Sequence, residues 1–150
     1  MWRQATGAET VASPVARIPL QVSNRCLVAS IQVDLTDAVL AQFRDDLLRE
    51  LQAQQAQGVI LDLSGIAVMD LSDFENIRST ISMAELMGVT AVVCGLRPGV
   101  VASLILLGAQ TDELKAARDL DMAFELLGKR KAQRMEGTGD EGDLASDHHP

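Results

Sequence analysis

The chain has 150 residues, a hydrophobic content of 47% and a formal net charge of −8. This length suits one domain with an aliphatic core, because aromatic residues make up only 3% and tyrosine is absent. The negative charge argues against binding to nucleic acids or anionic membranes, since both require clusters of basic side chains. No apolar run approaches the roughly 20 residues of a membrane-spanning helix. Residues 1–14 lack the apolar centre of a signal peptide, so a cytoplasmic location is expected.

The first elements are predicted to be a hairpin and a helix. Apolar and polar residues alternate from Ile18 to Ser23, and Pro19 favours an edge strand. A turn at residues 24–25 leads into a more apolar strand over residues 26–33, so the two strands should pair antiparallel. Oxygen caps at residues 34–37 open a helix that Gly58 is expected to end. The predicted buried stripe of this helix comprises Leu40, Phe43, Leu47 and Leu51.

The stretch from Val59 to Gly88 reads as a buried strand, a short loop and a long helix. Residues 59–63 are an apolar run typical of a strand covered on both faces. Ser72 and Glu75 match the spacing of a capping box, which predicts that the helix begins at Ser72. Gly88 is its predicted C-terminal cap. The apolar stripe of the helix comprises Phe74, Ile77, Ile81 and Ala84.

The remaining elements continue the alternation of strands and helices. Residues 90–95 form a strand, and Pro98 suits the first turn of a helix that Gly108 ends. Residues 100–107 of this helix are apolar nearly all round, so it should pack on more than one side or carry an interface. A short strand over residues 114–118 and an amphipathic helix ending near residues 128–131 complete the domain.

The predicted order is β-β-α-β-α-β-α-β-α, which implies right-handed crossovers and a mixed, mainly parallel sheet with four helices. The fold class is therefore α/β with a single domain over residues 16–131. Residues 1–15 are predicted to be a flexible lead. Residues 132–150 are predicted to be an acidic, disordered tail.

Several kinds of catalytic chemistry have no counterpart in this sequence. It contains neither the phosphate-loop motif nor the dinucleotide-binding glycine motif. Both histidines, His148 and His149, lie in the tail, which excludes a Ser-His-Asp arrangement within the domain and gives only a weak metal signal. Asp62 and Asp70 flank one strand–loop unit but do not make a convincing acid–base pair. We therefore expect no enzyme activity, cofactor or metal.

Two cysteines, Cys26 and Cys94, occur in strand-like apolar surroundings. They are predicted to be buried, reduced thiols, because a chain with two cysteines in a reducing compartment rarely forms a structural disulfide.

The candidate site is the Ser72 hydroxyl, which lies near Asp70, Asp73 and Glu75. One interpretation is that Ser72 only caps a helix, which is worth about 1 kcal/mol. The other is phosphorylation, since a helix N-terminus tolerates a phosphate and the added charge of about −1.5 to −2 would repel a partner docked there. The weaker candidate hydroxyls on the same helix are Ser79, Thr80 and Ser82.

Most of the chain resembles the STAS domain of bacterial anti-sigma-factor antagonists. The resemblance covers about residues 16–130 and is carried by IPLQVSNRCLVASIQVDL, VILDLSGIAVMD, SMAELMG, LMGVTAVVCGLRPGV and SLILLG. It is nearest to the RsbS type, the small scaffold protein of the stressosome. The resemblance implies a non-enzymatic protein that binds an RsbT-like switch kinase, assembles with RsbR-like STAS proteins, and is reset by a PP2C-type phosphatase. It also implies a homo- or hetero-oligomer without nucleic-acid or membrane partners.

The sequence departs from the RsbS pattern at the switch position. That pattern has Asp-Ser-Phe, and the position of its serine is taken here by Leu71. In the sigma-antagonist pattern, Asp-Ser-Ser/Thr-Gly, the second hydroxyl falls on Ser72, while Asp73 replaces the glycine. Asp70 fits both patterns.

Three functions remain open on the sequence. The first is an RsbS-type scaffold that releases its kinase when Ser72 is phosphorylated. The second is a soluble anti-sigma-factor antagonist that binds one anti-sigma kinase. The third is a module that binds an anion or small ligand at the start of the Ser72 helix.

Overall fold

The structure, a computed structural model, describes residues 15–129. Five strands and four helices alternate in the predicted order. The predicted lead up to residue 14 and the acidic tail, including His148 and His149, lie outside the described residues. The elements are β1 (Leu20–Ser23), β2 (Cys26–Ser30), α1 (Asp37–Gln54), β3 (Gly58–Asp62), α2 (Leu71–Leu86), β4 (Thr90–Cys94), α3 (Pro98–Leu106) and β5 (Ala116–Ala117), followed by α4 over residues 120–129.

The strands form one mixed sheet in the order β1-β2-β3-β4-β5. β1 pairs antiparallel with β2, whereas β2, β3, β4 and β5 pair in parallel. The hairpin turn places Asn24 and Arg25 at φ values of 51° and 64°, the left-handed conformation that two-residue hairpins require. The mixed sheet and the edge position of β1 are confirmed.

Helices cover both faces of the sheet, which explains why its central strands are apolar throughout. On one face, β2, β3 and β4 pack with α1, α2 and α3 in the main core, where Phe43, Leu47 and Leu104 are almost fully buried. On the other face, Ala123 and Leu127 of α4 pack in a smaller cluster with strand residues such as Ile60 and Val92. The four predicted stripe residues of α1 are all buried.

Helix α1 ends before the predicted position. Gln55 adopts a left-handed conformation at φ 49° and ψ 44°, and its N–H donates to the Leu51 and Gln52 carbonyls, so the last helical residue is Gln54. Gly58, predicted to end the helix, is instead the first residue of β3. A Cβ at this position would lie 3.1 Å from the Leu127 side chain and 3.2 Å from the Cys26 Sγ. Close packing therefore accounts for the glycine at this position, and a helix cap does not.

Several predicted strands are shorter in the structure, and the first begins at Leu20 rather than at Ile18. The strand predicted over residues 26–33 ends at Ser30, and the last strand contains only Ala116 and Ala117. The last strand pairs with the end of β4, at Val93 and Cys94. The helix predicted around residues 100–107 spans Pro98–Leu106, with Pro98 in its first turn as expected.

Among the described residues Cys26 and Cys94 are both buried, and neither takes part in a disulfide bond, as predicted. Burial, with the charges of Asp62 and Asp119, raises the pKa of the Cys94 thiol to about 11. Such a thiol is a poor nucleophile at neutral pH. Within residues 15–129, no helix is both long enough and apolar enough to span a bilayer.

Candidate functional site

The candidate site lies where β3 leads into α2, at the carboxyl end of the parallel strands. Three buried side chains of the connecting loop, Leu63, Ile66 and Met69, belong to the main core. Between them Val68 is 83% exposed. The core thus holds the loop in place, while Val68 remains exposed to solvent close to Asp70.

Helix α2 begins at Leu71, and its N-cap is Asp70. The Asp73 N–H donates to Asp70 Oδ1 at 2.7 Å, and the Asp70 N–H donates to Asp73 Oδ2 at 3.3 Å. These two hydrogen bonds form a reciprocal capping box, so the predicted box of Ser72 and Glu75 is wrong. The sequence contained both spacings, and aspartate caps a helix as well as serine does.

The buried residues around the cap explain why it lies at Asp70. Met69 precedes the cap and Phe74 is the fourth helical residue, which are the two positions of a hydrophobic staple. Met69 is 3% exposed and Phe74 is 2% exposed, and both belong to the main core. With Ser72 as the cap, the staple positions would fall on Leu71 and the polar Asn76. Burial of Met69 and Phe74 in the core therefore favours Asp70 as the N-cap of α2.

Ser72 is exposed in the first turn of α2. Its hydroxyl makes no hydrogen bond to the part of the chain that the structure describes. It borders an open surface depression lined by Leu71, Ser72, Glu75 and Asn76. The predicted hydroxyl is therefore accessible to another protein, although it is not the helix cap.

The predicted carboxylates do surround this hydroxyl. Asp70 and Glu75 are exposed, and Asp73 is half-buried. Partial burial raises the pKa of the Asp73 carboxyl; a hydrogen bond from the Asp70 N–H opposes that shift, while the charges of Asp70 and Asp37 add to it. Asp37 is the first residue of α1 and lines the same cleft as Ser72, so the N-termini of α1 and α2 lie close together.

The weaker candidate hydroxyls differ in exposure. Ser79 and Ser82 are exposed on α2. Thr80 is only 3% exposed, and its hydroxyl donates to the Asn76 carbonyl at 3.2 Å. A kinase has no access to the Thr80 hydroxyl in the folded protein.

A polar cleft of about 280 Å³ separates α1 from α2. Its walls bring Ser72 and Ser79 of α2 into the same space as Asp37 and Arg44 of α1. Sequence reasoning missed Arg44, because nothing in the linear sequence indicates that this face of α1 lies beside the start of α2. Its full lining comprises Asp37, Leu40, Ala41, Arg44, Ser72, Asn76, Ser79 and Thr80.

Among residues 15–129, no group of three or more His, Cys, Asp or Glu side chains could hold a metal ion. Asp62, considered from the sequence as one half of an acid–base pair, accepts from the Ser64 N–H at 3.0 Å. Asp70 is engaged in the capping box. Each carboxylate thus has a local structural role.

Comparison with known proteins connects this chain to a family. The model of the STAS domain matches residues 17–123. An uncharacterized protein of Bacillus subtilis (strain 168), YezB, is 32% identical over 72 residues, which are 48% of this chain and 74% of YezB.

Several solved structures share the fold. A variant of RsbS from Moorella thermoacetica with a serine replaced by glutamate is 23% identical and has a TM-score of 0.69, covering 78% of this chain and 99% of RsbS. A chain in a structure of the stressosome, described as a signal integration and transduction hub, is 24% identical with a TM-score of 0.67, covering 75% of this chain and 98% of that one. The unphosphorylated anti-sigma factor antagonist SpoIIAA is 14% identical with a TM-score of 0.59, covering 74% and 96%.

Proposed function

The chain belongs to the STAS domain family, and from that premise we propose that it is a non-enzymatic scaffold of the RsbS type. In this proposal it binds an RsbT-like serine/threonine kinase within a stressosome-like assembly that includes RsbR-like STAS proteins. Phosphorylation of Ser72 releases the kinase, and a PP2C-type phosphatase restores the binding form. The proposal puts this cycle in the cytoplasm, where the phosphoryl donor ATP is available.

The observation that carries the proposal is the exposed Ser72 hydroxyl in the first turn of α2. Asp70 and Asp73 cap the helix by themselves. Modification of Ser72 therefore leaves the cap intact. A phosphate at this position is also favoured by the free N–H groups and the dipole of the helix.

Phosphorylation would change the surface rather than the fold. The kinase transfers the γ-phosphoryl group of ATP to the Ser72 oxygen, the hydroxyl proton leaves with a base, and ADP is released. The product carries about −1.5 to −2 charges beside Asp70 and Glu75. A partner docked on this face, with Val68 as an exposed apolar contact, is then repelled.

Related structures support a switch that keeps the fold. SpoIIAA has been solved in its unphosphorylated form and in its phosphorylated form, and both resemble this chain, with TM-scores of 0.59 and 0.54. The Moorella RsbS variant carries glutamate in place of a serine, a substitution that supplies negative charge at one position.

The exposed end of α3 supports the assembly part of the proposal. Only Val100 and Leu104 of this helix are buried, so no part of residues 15–129 covers a second packing side. Ile105, Leu106 and Leu107 are 61%, 87% and 51% exposed. Consecutive exposed aliphatic side chains are costly on a monomer and typical of protein interfaces. We propose that another copy of this STAS domain covers them.

A one-to-one anti-sigma-factor antagonist is the second candidate function. The observation that favours it is the position of Ser72, which has the register of the second hydroxyl in the Asp-Ser-Ser/Thr-Gly pattern and is exposed. This candidate shares the phosphoryl switch but requires only a small complex.

Intact-mass measurement tests the switch. The protein is incubated with ATP and the switch kinase of its own organism. Wild type should gain the mass of one phosphoryl group, and Ser72→Ala should gain none. Ser79→Ala and Ser82→Ala serve as matched controls and should behave like wild type. An unmodified wild type contradicts the proposal, and a mass gain that persists in Ser72→Ala moves the switch to another residue.

A further inference from the structure

We propose that Arg44 is the counter-ion of the phosphate on Ser72, so that the modified side chain is drawn into the cleft between α1 and α2. The inference rests on the proposed function for its biological meaning. Its physical basis is independent, because it concerns where a phosphate at this position would bind within the chain itself.

The first argument is placement. Arg44 and Ser72 line the same polar cleft of about 280 Å³, from opposite helices. α1 and α2 both cross from the carboxyl end of one strand to the start of its parallel neighbour, so they run in the same direction. Long side chains on a helix point back towards its N-terminus. This preference would direct the Arg44 side chain towards the end of the cleft where Asp37 and Ser72 lie.

The second argument is availability. Among residues 15–129, the one charged contact of the Arg44 guanidinium is Nε to Asp45 Oδ1 at 3.6 Å, and the two side chains are 41% and 60% exposed. Exposed pairs of this kind contribute little stability. A phosphate offers Arg44 a better partner, since a guanidinium can bind its oxygens through two parallel hydrogen bonds.

Other cations around α2 are already engaged. Arg78 Nη1 donates to the Gln110 carbonyl at 3.1 Å, and Arg97 Nε donates to the Ser64 carbonyl at 3.0 Å. Lys115 Nζ lies 2.8 Å from Glu85 Oε2. None of these three lines the cleft that holds Ser72.

The third argument is repulsion from the opposite side. The phosphate on Ser72 would face the carboxylates of Asp70, Asp73 and Glu75 around the start of α2, whereas Asp37 lines the cleft itself. Like charges repel each other more strongly at shorter distances. An orientation towards Arg44 would move the phosphate away from the capping box and towards the positive charge that shares the cleft with Asp37. The phosphate then links α1 to α2.

The test uses phosphoserine installed at position 72 during synthesis, so that no kinase is needed. The second pKa of the phosphate is measured by ³¹P NMR titration in otherwise wild-type protein, in Arg44→Gln and in Arg49→Gln. Arg49 is the matched control, because it is an exposed arginine of the same helix whose contact is Asp46. A nearby guanidinium favours the dianion, so Arg44→Gln should raise this pKa by about 0.5 unit or more, while Arg49→Gln should leave it within about 0.1 unit of wild type.

Equal phosphate pKa values in wild type and Arg44→Gln would overturn the inference, as would equal shifts in both variants, which would report only general charge. Unphosphorylated Arg44→Gln should melt at the temperature of unphosphorylated wild type, which shows that the variant is folded. A failed kinase assay with a positive titration would refute the proposed switch and leave the Arg44 contact standing. A positive kinase assay with equal phosphate pKa values in wild type and Arg44→Gln would support the proposed switch and refute the Arg44 contact.

Discussion

At the scale of single residues, the start of α2 separates two roles that a sequence pattern had combined. Asp70 holds the helix end, through a 2.7 Å hydrogen bond from the Asp73 N–H. Ser72 is exposed and leaves the cap unaffected. A residue that carries a regulatory charge is less constrained when it has no structural hydrogen bond to lose. This division would allow the proposed phosphorylation to change the charge of Ser72 without changing the helix.

Substitutions at these two positions should have different effects on stability. Asp70→Ala should lower the free energy of unfolding by about 1 kcal/mol, because the cap is lost. Ser72→Ala should change it by less than about 0.5 kcal/mol, as expected for an exposed side chain without such a role. Urea denaturation measures both values.

Asp70→Asn is the control for the cap, since asparagine accepts the same hydrogen bond and should stay close to wild type. A larger loss in Ser72→Ala than in Asp70→Ala would return the cap to Ser72 and contradict the described geometry.

At the scale of elements, the loops at the carboxyl ends of β3 and β4 are held together tightly. Gly95 follows β4 at a φ of 76°, and a Cβ there would lie 2.8 Å from Ser64 Cβ and 2.9 Å from Asp62 Oδ1. Arg97 donates to the Ser64 carbonyl across the same junction. This contact fixes the loop that leads to Ser72 relative to the start of α3.

A pair of glycine substitutions separates crowding from backbone strain. Gly95→Ala should destabilise the protein by about 2 to 3 kcal/mol, because an unfavourable positive φ is combined with close contacts to the Asp62–Ser64 turn. Gly88→Ala, where φ is 85° and no atom lies within 4 Å of the added Cβ, should cost only about 1 kcal/mol from the φ value. Chemical denaturation of the two variants gives the difference. Equal losses would show that the junction is not tightly packed.

At the scale of the whole molecule, two surfaces differ in what they offer a partner. The carboxyl end of the sheet carries the Ser72 hydroxyl, its carboxylates and the exposed Val68. The end of α3 carries the three aliphatic side chains at residues 105–107. The proposed scaffold uses the first surface to bind a kinase reversibly. It uses the second for an assembly that persists.

Assembly should therefore depend on the α3 surface. Leu106→Ser should reduce the apparent mass of the purified protein, measured by sedimentation velocity, because it removes an 87% exposed leucine from the proposed contact without touching the core. Val22→Ser is the matched control. It alters a 53% exposed valine on β1, at the opposite edge of the sheet, and should leave the mass unchanged. A wild-type protein that remains monomeric alone and with partner STAS proteins would refute the scaffold and favour the one-to-one antagonist.

Much of the candidate site could be predicted from local sequence, but its geometry could not. The position of Ser72 near three carboxylates follows from the sequence alone. The cap was assigned to the wrong residue because two capping patterns overlap, and only the burial of Met69 and Phe74 distinguishes them. Arg44 has no local signal, since α1 and α2 are separated in the sequence and share a cleft only in the tertiary structure.

The sequence by itself determined the order of strands and helices, the hairpin at the sheet edge and the apolar stripes, because periodicity and turn residues act over a few neighbours. Tertiary structure decided which aspartate caps α2, why Gly58 belongs to a strand, and which helix faces share a cleft. Those outcomes depend on side chains brought together from distant parts of the chain, and packing in a dense core, rather than local preference, selects among them.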